Sequence, residues 1–309
     1  MTQANFWDAQ SALGFVLSQT SHIEAGVNEI VYPDIQYPAL IPVDTSAHPF
    51  AKSVTYFSGD KFGEAGWING NAGDIPLAGV EHTKFETPVY TAGIGYGYGW
   101  EEINQAQMLG MPLSNQLAMA ARRAYEEMVD RVALLGDTKK NFQGLINNSA
   151  VTADSALNGD WDGASTADEI LADVNEAILD TAMDTKYTGV ADTLLLPFAK
   201  LNRLATLRLG DTTMTVLNFL RENNTYTAMT GKELVIRGVR GLETAGSGST
   251  NRMVAYRRDP SVLKLHIPMP HRFLPAHQKT PLYFEVPGVF RLGGLDIRLP
   301  KEVRYKDGI

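Results

Sequence analysis

The sequence predicts an α+β fold, and three observations carry that expectation. One unbroken helix, Pro112–Leu135, stands between Gly110 and Gly136. A glycine- and aromatic-rich β segment precedes it. After it strands alternate with helices, and the chain then returns to β.

The elements follow in chain order. Residues 1–50 have weak periodicity and then prolines at 33, 38, 42 and 49, a spacing that blocks helix and favours extended backbone. The segment reads as an arm with little core of its own. Residues 51–90 hold the β-prone runs Val54–Phe57 and Thr83–Glu86, punctuated by Ser58-Gly59, Asn69-Gly70 and Ala78-Gly79, and so predict a long β-hairpin. A two-stranded hairpin is marginal alone in water, so it must meet another surface, in this chain or in a neighbouring copy. From 91 to 100 glycine alternates with Ile94, Tyr96, Tyr98 and Trp100, which gives a strand with one bare and one largely aromatic face. Neither the dinucleotide fingerprint nor a phosphate loop fits those glycines.

Glu101–Leu109 reads as a short helix with acids at its positive end. Pro112 suits the first position of the long helix and Gly136 its stop. The apolar stripe is Leu113, Leu117, Ala121, Ala124, Met128, Val132 and Leu135, opposite a face bearing Arg122, Arg123, Glu126, Glu127, Asp130 and Arg131. Gly144-Leu-Ile-Asn147 gives a turn-and-strand signal. Thr166-Ala-Asp-Glu169 is a capping box for a helix burying Ile170, Val174, Ala177 and Ile178. Thr193–Leu196 reads as a buried strand, Phe198–Thr206 as a helix after Pro197, and Met214–Arg221 as a helix capped by Asp211-Thr212-Thr213. Further strands are expected at Glu233–Arg237, Met253–Tyr256, Val262–Ile267, Leu282–Val286 and Leu295–Leu299.

Bulk composition is that of a globular chain, with 44% hydrophobic and 20% charged residues. There is no eighteen-residue apolar run for a membrane span, and the first twenty residues lack a secretory pattern. The absence of cysteine excludes disulfides, thiolate chemistry and sulfur-ligated zinc. Residues 251–309 carry 11 Lys and Arg against 5 Asp and Glu, while the first 250 carry 16 against 30. Such opposed regions favour contacts between copies, and the overall acidity argues against sequence-independent nucleic-acid binding by the whole surface.

Catalytic signals are absent. His22, His48, His82, His266, His271 and His277 form no ligand pattern, and no HExxH or Gly-x-Ser-x-Gly string exists. Glu101/Glu102 are explained by a helix dipole, and Asp160-Trp161-Asp162-Gly163 by a surface loop with a weak carbohydrate or calcium signal. We therefore assign no catalytic, cofactor or metal residue.

Taken in order, several strings resemble one family: Asp74-Ile75-Pro76, Gly95-Tyr-Gly-Tyr-Gly-Trp100-Glu, Ala120-Ala-Arg-Arg-Ala-Tyr-Glu126, Gly144-Leu-Ile-Asn147, Thr193-Leu-Leu-Leu-Pro197 and Tyr305-Lys-Asp-Gly-Ile309. From roughly residue 50 onward the chain resembles bacteriophage major capsid proteins of the Hong Kong 97-type fold, which encapsulin shells share. The resemblance implies an N-terminal arm (1–50), an extended β-hairpin loop (51–90) and a peripheral domain (91–164) with a spine helix (112–135). An α/β axial domain (165–260) and a β-rich return (261–309) complete it. It further implies a non-enzymatic shell subunit forming hexamers and pentamers of an icosahedral head around double-stranded DNA, assembled in the bacterial cytoplasm and ending in the virion. Partners would be other copies of the chain and separate scaffolding, portal and decoration proteins, with DNA packaged without sequence-specific contacts, and no membrane. Some relatives crosslink a hairpin lysine, for which Lys52, Lys61 and Lys84 qualify by location alone. The alternatives are an encapsulin-like compartment and, from another class, a hydrolase or carbohydrate-binding enzyme using the loop around Trp161.

Overall fold

The computed structural model describes residues 34–67, 77–108, 113–163 and 165–309. The expected arm up to residue 33, with His22, lies outside them, as do the Asn69-Gly70 turn, Asp74-Ile75-Pro76, Leu109, Gly110 and Pro112. Ile35–Ile309 forms one compact unit.

The chain enters through α1 (Tyr37–Leu40) and β1 (Val43–Asp44), then builds β2 (Ser53–Phe62), β3 (Gly79–Pro88), β4 (Tyr90–Gly93) and β5 (Tyr96–Gly99). Helices α2 (Trp100–Met108) and α3 (Leu113–Leu135) follow, and then β6 (Thr152–Ser155), α4 (Ala167–Asp184) and β7 (Thr193–Leu196). Next come α5 (Phe198–Thr206), α6 (Val216–Glu222), α7 (Thr225–Thr230), β8 (Val235–Gly238) and β9 (Arg252–Tyr256). The return comprises β10 (Leu263–His266), β11 (Met269–Phe273), β12 (His277–Thr280), β13 (Tyr283–Val286), β14 (Gly288–Leu292), β15 (Leu295–Ile297) and β16 (Val303–Asp307).

A five-stranded sheet in the order β6-β16-β9-β7-β8 separates two cores. Because side chains alternate along a strand, Val254 and Tyr256 of β9 enter the core shared with α3, while Met253 and Ala255 enter the core under α4–α7. Strand β7 does the same, with Leu195 on one side and Leu194 and Leu196 on the other. The sheet draws β6 and β16 from outside the segment 165–260.

Helix α3, about 35 Å long, shows how a helix end is satisfied. Its last four carbonyls have no partners within the helix. Val132 O accepts from Gly136 N at 3.0 Å, Ala133 O from Leu145 N at 2.9 Å, and Leu134 O from Ile146 N at 3.1 Å. Leu135 O accepts from Asn147 Nδ2 at 2.7 Å. Gly136 takes φ +76°, as a helix stop requires. Gly144-Leu-Ile-Asn147 forms the expected turn but not the expected strand, and the turn caps the long helix.

The buried face of α3 also differs from the expected stripe. Ala121, Tyr125, Val129, Val132 and Ala133 are buried, whereas Leu135 is exposed. Asp130, placed by its charge on the solvent face, is buried. Its Oδ1 accepts from Gln36 N at 2.9 Å and Tyr37 N at 2.8 Å, while Oδ2 lies 3.3 Å from Arg240 Nη2. A carboxylate on the free N–H groups of α1 is favourable by charge and by hydrogen bonding. Tyr37 Oη donates to Glu126, Tyr256 Oη donates to Leu40 O, and Leu40 and Ile41 enter the core. Residues 35–41 of the expected arm therefore belong to the core of their own chain.

The capping box at Thr166 and Glu169 is formed, and Ile170, Val174, Ala177 and Ile178 are fully buried behind it. Helix α6 starts two residues later than expected because Thr215, and not the 211–213 run, accepts from Asn218 N at its start. Helices α1 and α7 and strands β6, β11, β12, β14 and β16 were not expected from the sequence. Helix α1 forms where proline was expected to block helix, because Pro38 sits in its first turn, where no backbone donor is needed.

Candidate functional site

The projecting feature is the β2–β3 ribbon. Ten consecutive pairs run from Ser53↔Pro88 to Phe62↔Gly79, and neither strand pairs with any other among the described residues. The residues between its strands include Trp67 and Leu77, both exposed. Phe57, Phe62, Val80 and Phe85 are exposed too, so an aromatic-rich ribbon stands largely uncovered by the described residues of its own chain. A sheet of two strands needs a further surface for stability, and exposed apolar groups gathered on one element mark an interaction site.

The ribbon is fixed at its root by one face. Tyr56 and Phe85, directly opposite in register, stack at 5.1 Å between centroids. The Arg298 guanidinium lies 4.5 Å from the Tyr56 ring, and Arg298 Nε donates to Asp296 at 3.1 Å. Val54, Tyr56 and Thr87 on this face are partly covered, whereas Thr55, Phe57, Lys84 and Glu86 on the opposite face are exposed.

Beside the root, β1 runs parallel to β10 and sets Asp44 opposite His266. The buried His266 ring lies between two carboxylates, 3.7 Å from Asp44 and 3.5 Å from Asp296. Lys264 approaches Asp44 at 3.5 Å. Burial works to raise the Asp44 carboxyl, but it is outweighed by hydrogen bonds from the Ser46 side chain and backbone and by Lys264 and His266. Together they bring it down from 3.8 to about 2. A depressed folded value means that Asp44 stabilises the fold above its unfolded pKa, and that this contribution is lost as pH falls from about 3.8 through about 2. Asp44→Asn is expected to lower the urea midpoint at pH 7, with the gap to the parent closing toward pH 2. A gap of constant size over that range counts against the assignment.

The sequence-selected residues separate widely. Lys52 precedes β2, Lys61 lies on β2 opposite Val80, and Lys84 on β3 pairs with Glu86 at 2.9 Å. Glu101 and Glu102 sit in the first turn of α2, where Glu102 accepts from Gly99 N at 3.1 Å. His48 accepts from Phe50 N, and His82 lies across Gly59. His271 contacts Ile94 O and stacks on Tyr125, while His277 is 3.7 Å from Glu285. No group of three or more metal-ligating side chains gathers among the described residues. No helix among them is long and apolar enough to cross a membrane.

The loop offered by the carbohydrate-enzyme alternative is built otherwise. Trp161 is fully buried, so no ring face remains for a sugar. Its Nε1 donates to Asp173 at 2.7 Å, and Asp173 also accepts from Asn158 N at 2.8 Å, Asn158 Nδ2 at 3.1 Å and Gly159 N at 3.1 Å. Asp162 holds the buried Lys200 at 2.7 Å. These acids brace a loop. Sequence reasoning missed both Asp130 and the Asp44–His266–Asp296 group, since each reads locally as a surface charge. The pairings of β1 and of β15 with β10 bring the latter together.

The geometry is matched by kinship. A family model described as major capsid protein matches residues 63–309. Among solved structures, the capsid of Myoviridae phage XM1 is similar over 94% of this chain and 98% of that one, at 19% identity and a TM-score of 0.79. The capsid of a native GTA particle is similar over 98% and 99%, at 10% identity and TM-score 0.65. A virus-like particle from Pyrococcus furiosus is similar over 87% and 91%, at 13% identity and TM-score 0.54. No curated protein matches by sequence. The fold is therefore the Hong Kong 97-type that the sequence resemblance implied.

Proposed function

Because the chain belongs to the major capsid protein family, we propose that it forms hexamers and pentamers of an icosahedral head around double-stranded DNA, with its β2–β3 ribbon laid over the next subunit. The observation that carries this reading is the ribbon: ten paired residues per strand, exposed aromatic side chains and no third strand among the described residues. Its contribution to stability comes from a neighbour, which is why a monomer displays it. The arm expected over the N-terminal residues extends the same logic, since its root is fixed in the core by Asp130 and Tyr256. The subunit acts as structure and not as an enzyme. Assembly takes place in the host cytoplasm, with scaffolding, portal and decoration functions on separate chains and DNA held without sequence-specific contacts.

Deletion of residues 58–80 tests this reading. The expected product keeps its circular dichroism spectrum and cooperative melting but forms no shells or rings by negative-stain microscopy and light scattering. Normal particles from the deleted chain would sink the proposal. Nuclease-protected DNA inside recovered particles supports the genome-enclosing reading, whereas co-purifying cargo protein in its place supports the encapsulin-like one.

A further inference from the structure

We infer that the ribbon meets its neighbour through the face bearing Phe57, Lys61, Val80 and Lys84, and that the receiving surface is the Trp100–Glu102 corner of a second copy. This rests on the shell-subunit reading and adds a face, a target and a charge pairing to it.

The face follows from the root. Paired residues in an antiparallel ribbon lie on the same side, so Tyr56, Phe85 and Val54 share one side and Phe57, Lys84, Lys61 and Val80 the other. The first side is engaged at its root by Arg298 of its own chain, over Tyr56, and keeps Phe85 and, farther out, Phe62 exposed. The second is uncovered, with Phe57 70% and Val80 55% exposed. It is a mixed surface: apolar side chains, Lys61, and Lys84 paired at 2.9 Å with Glu86 of the same face, so that the two lysines leave it net positive.

The target has the complementary chemistry. Trp100 N donates to Leu282 O at 2.8 Å and Tyr283 pairs with Gly99, which sets three exposed apolar side chains, Trp100, Leu282 and Tyr283, at one corner. Glu101 and Glu102 open helix α2 at the same corner and are exposed. An apolar centre flanked by acids faces an apolar centre of net positive charge, which is the arrangement that fixes partner and register in an interface. A second copy of this chain supplies both halves, so every subunit gives one and receives one, a head-to-tail pattern that closes into rings.

Charge reversal with rescue is the test. Full chains carrying Lys61→Glu with Lys84→Glu, or Glu101→Lys with Glu102→Lys, are compared with the parent for rings and shells. Each reversal alone is expected to cut the assembled fraction at least about tenfold, and all four together to restore it to within about threefold. Glu102 also accepts from Gly99 N, so Glu101→Lys alone is included, and circular dichroism and melting temperature confirm that every variant folds. Folded single reversals that assemble like the parent, or a folded quadruple variant that shows no rescue, overturn the pairing, while the 58–80 deletion still decides the shell reading separately. A parent chain that forms no oligomer at any concentration takes down both. Salt-sensitive binding of duplex DNA that Lys61→Glu with Lys84→Glu abolishes, with assembly intact, assigns the face to nucleic acid and overturns the proposal.

Discussion

Gly144→Ala is expected to lower the stability of the unassembled chain by about 3 kcal/mol. A Cβ at this position would lie 2.1 Å from Leu134 O and 2.6 Å from Leu135 N, and both are backbone atoms that no side-chain rotation can move away. Relief requires the turn to retreat from the end of α3, and the turn supplies three of the four donors that satisfy the last carbonyls of that helix. Leu145 and Ile146 would be drawn from the core by the same movement. The clash and the loss of the cap therefore act together, and urea unfolding followed by circular dichroism reads the sum. An unchanged midpoint would mean that the turn relaxes freely and contributes little to the helix end. Asn147→Ala, which removes both the donor to Leu135 O and the acceptor of Gly144 N, is expected to cost about 2 kcal/mol.

Asp173→Ala is expected to cost about 4 kcal/mol. Four donors converge on this fully buried carboxylate, one of them the indole of a Trp161 that is itself buried. Alanine leaves the Asn158 and Gly159 backbone N–H groups and the indole without an acceptor, and it opens a void beside the ring. Asp173→Asn keeps the volume but turns an NH2 toward donors, so it is expected to recover only about half of the loss. The comparison of the two midpoints separates the packing part from the hydrogen-bond part. If both variants unfold with the parent, water replaces the carboxylate and the loop does not depend on it.

Where the sequence was legible, the signal was local. The capping box of α4, the four buried leucine-rich positions of β7, the span of α5 and the glycine stop of α3 each rest on residues a few places apart. Reading failed where the deciding partner is distant in sequence. Asp130 is buried because a helix start 93 residues earlier needs an acceptor, which no pattern within α3 reveals. Strand β16 was missed because Arg304 and Lys306 read as solvent-facing charges. In fact they point at α4, where Lys306 reaches Glu176 and Asp180 at 3.2 and 2.8 Å, and Arg304 reaches Asp184 at 2.9 Å and pairs with Asp154. The alternation is there, but one of its faces is buried as ion pairs and so shows no hydrophobic period. The ribbon was legible for a different reason: its side chains face solvent or a neighbour, so the β-prone runs and turn pairs stand free of the demands of a core.

The root of that ribbon has a mechanical consequence. Ten residues in extended form make a lever about 33 Å long, so a tilt of about 10° at the root sweeps the tip through about 6 Å. Where the tip arrives is thus set at the Arg298–Tyr56 stack and the neighbouring β1–β10 junction, far from the place where it is received. A small change in how tightly that stack is held is magnified along the lever into a large change in reach. Residues that touch no other molecule can in this way decide how strongly the surface between molecules bends.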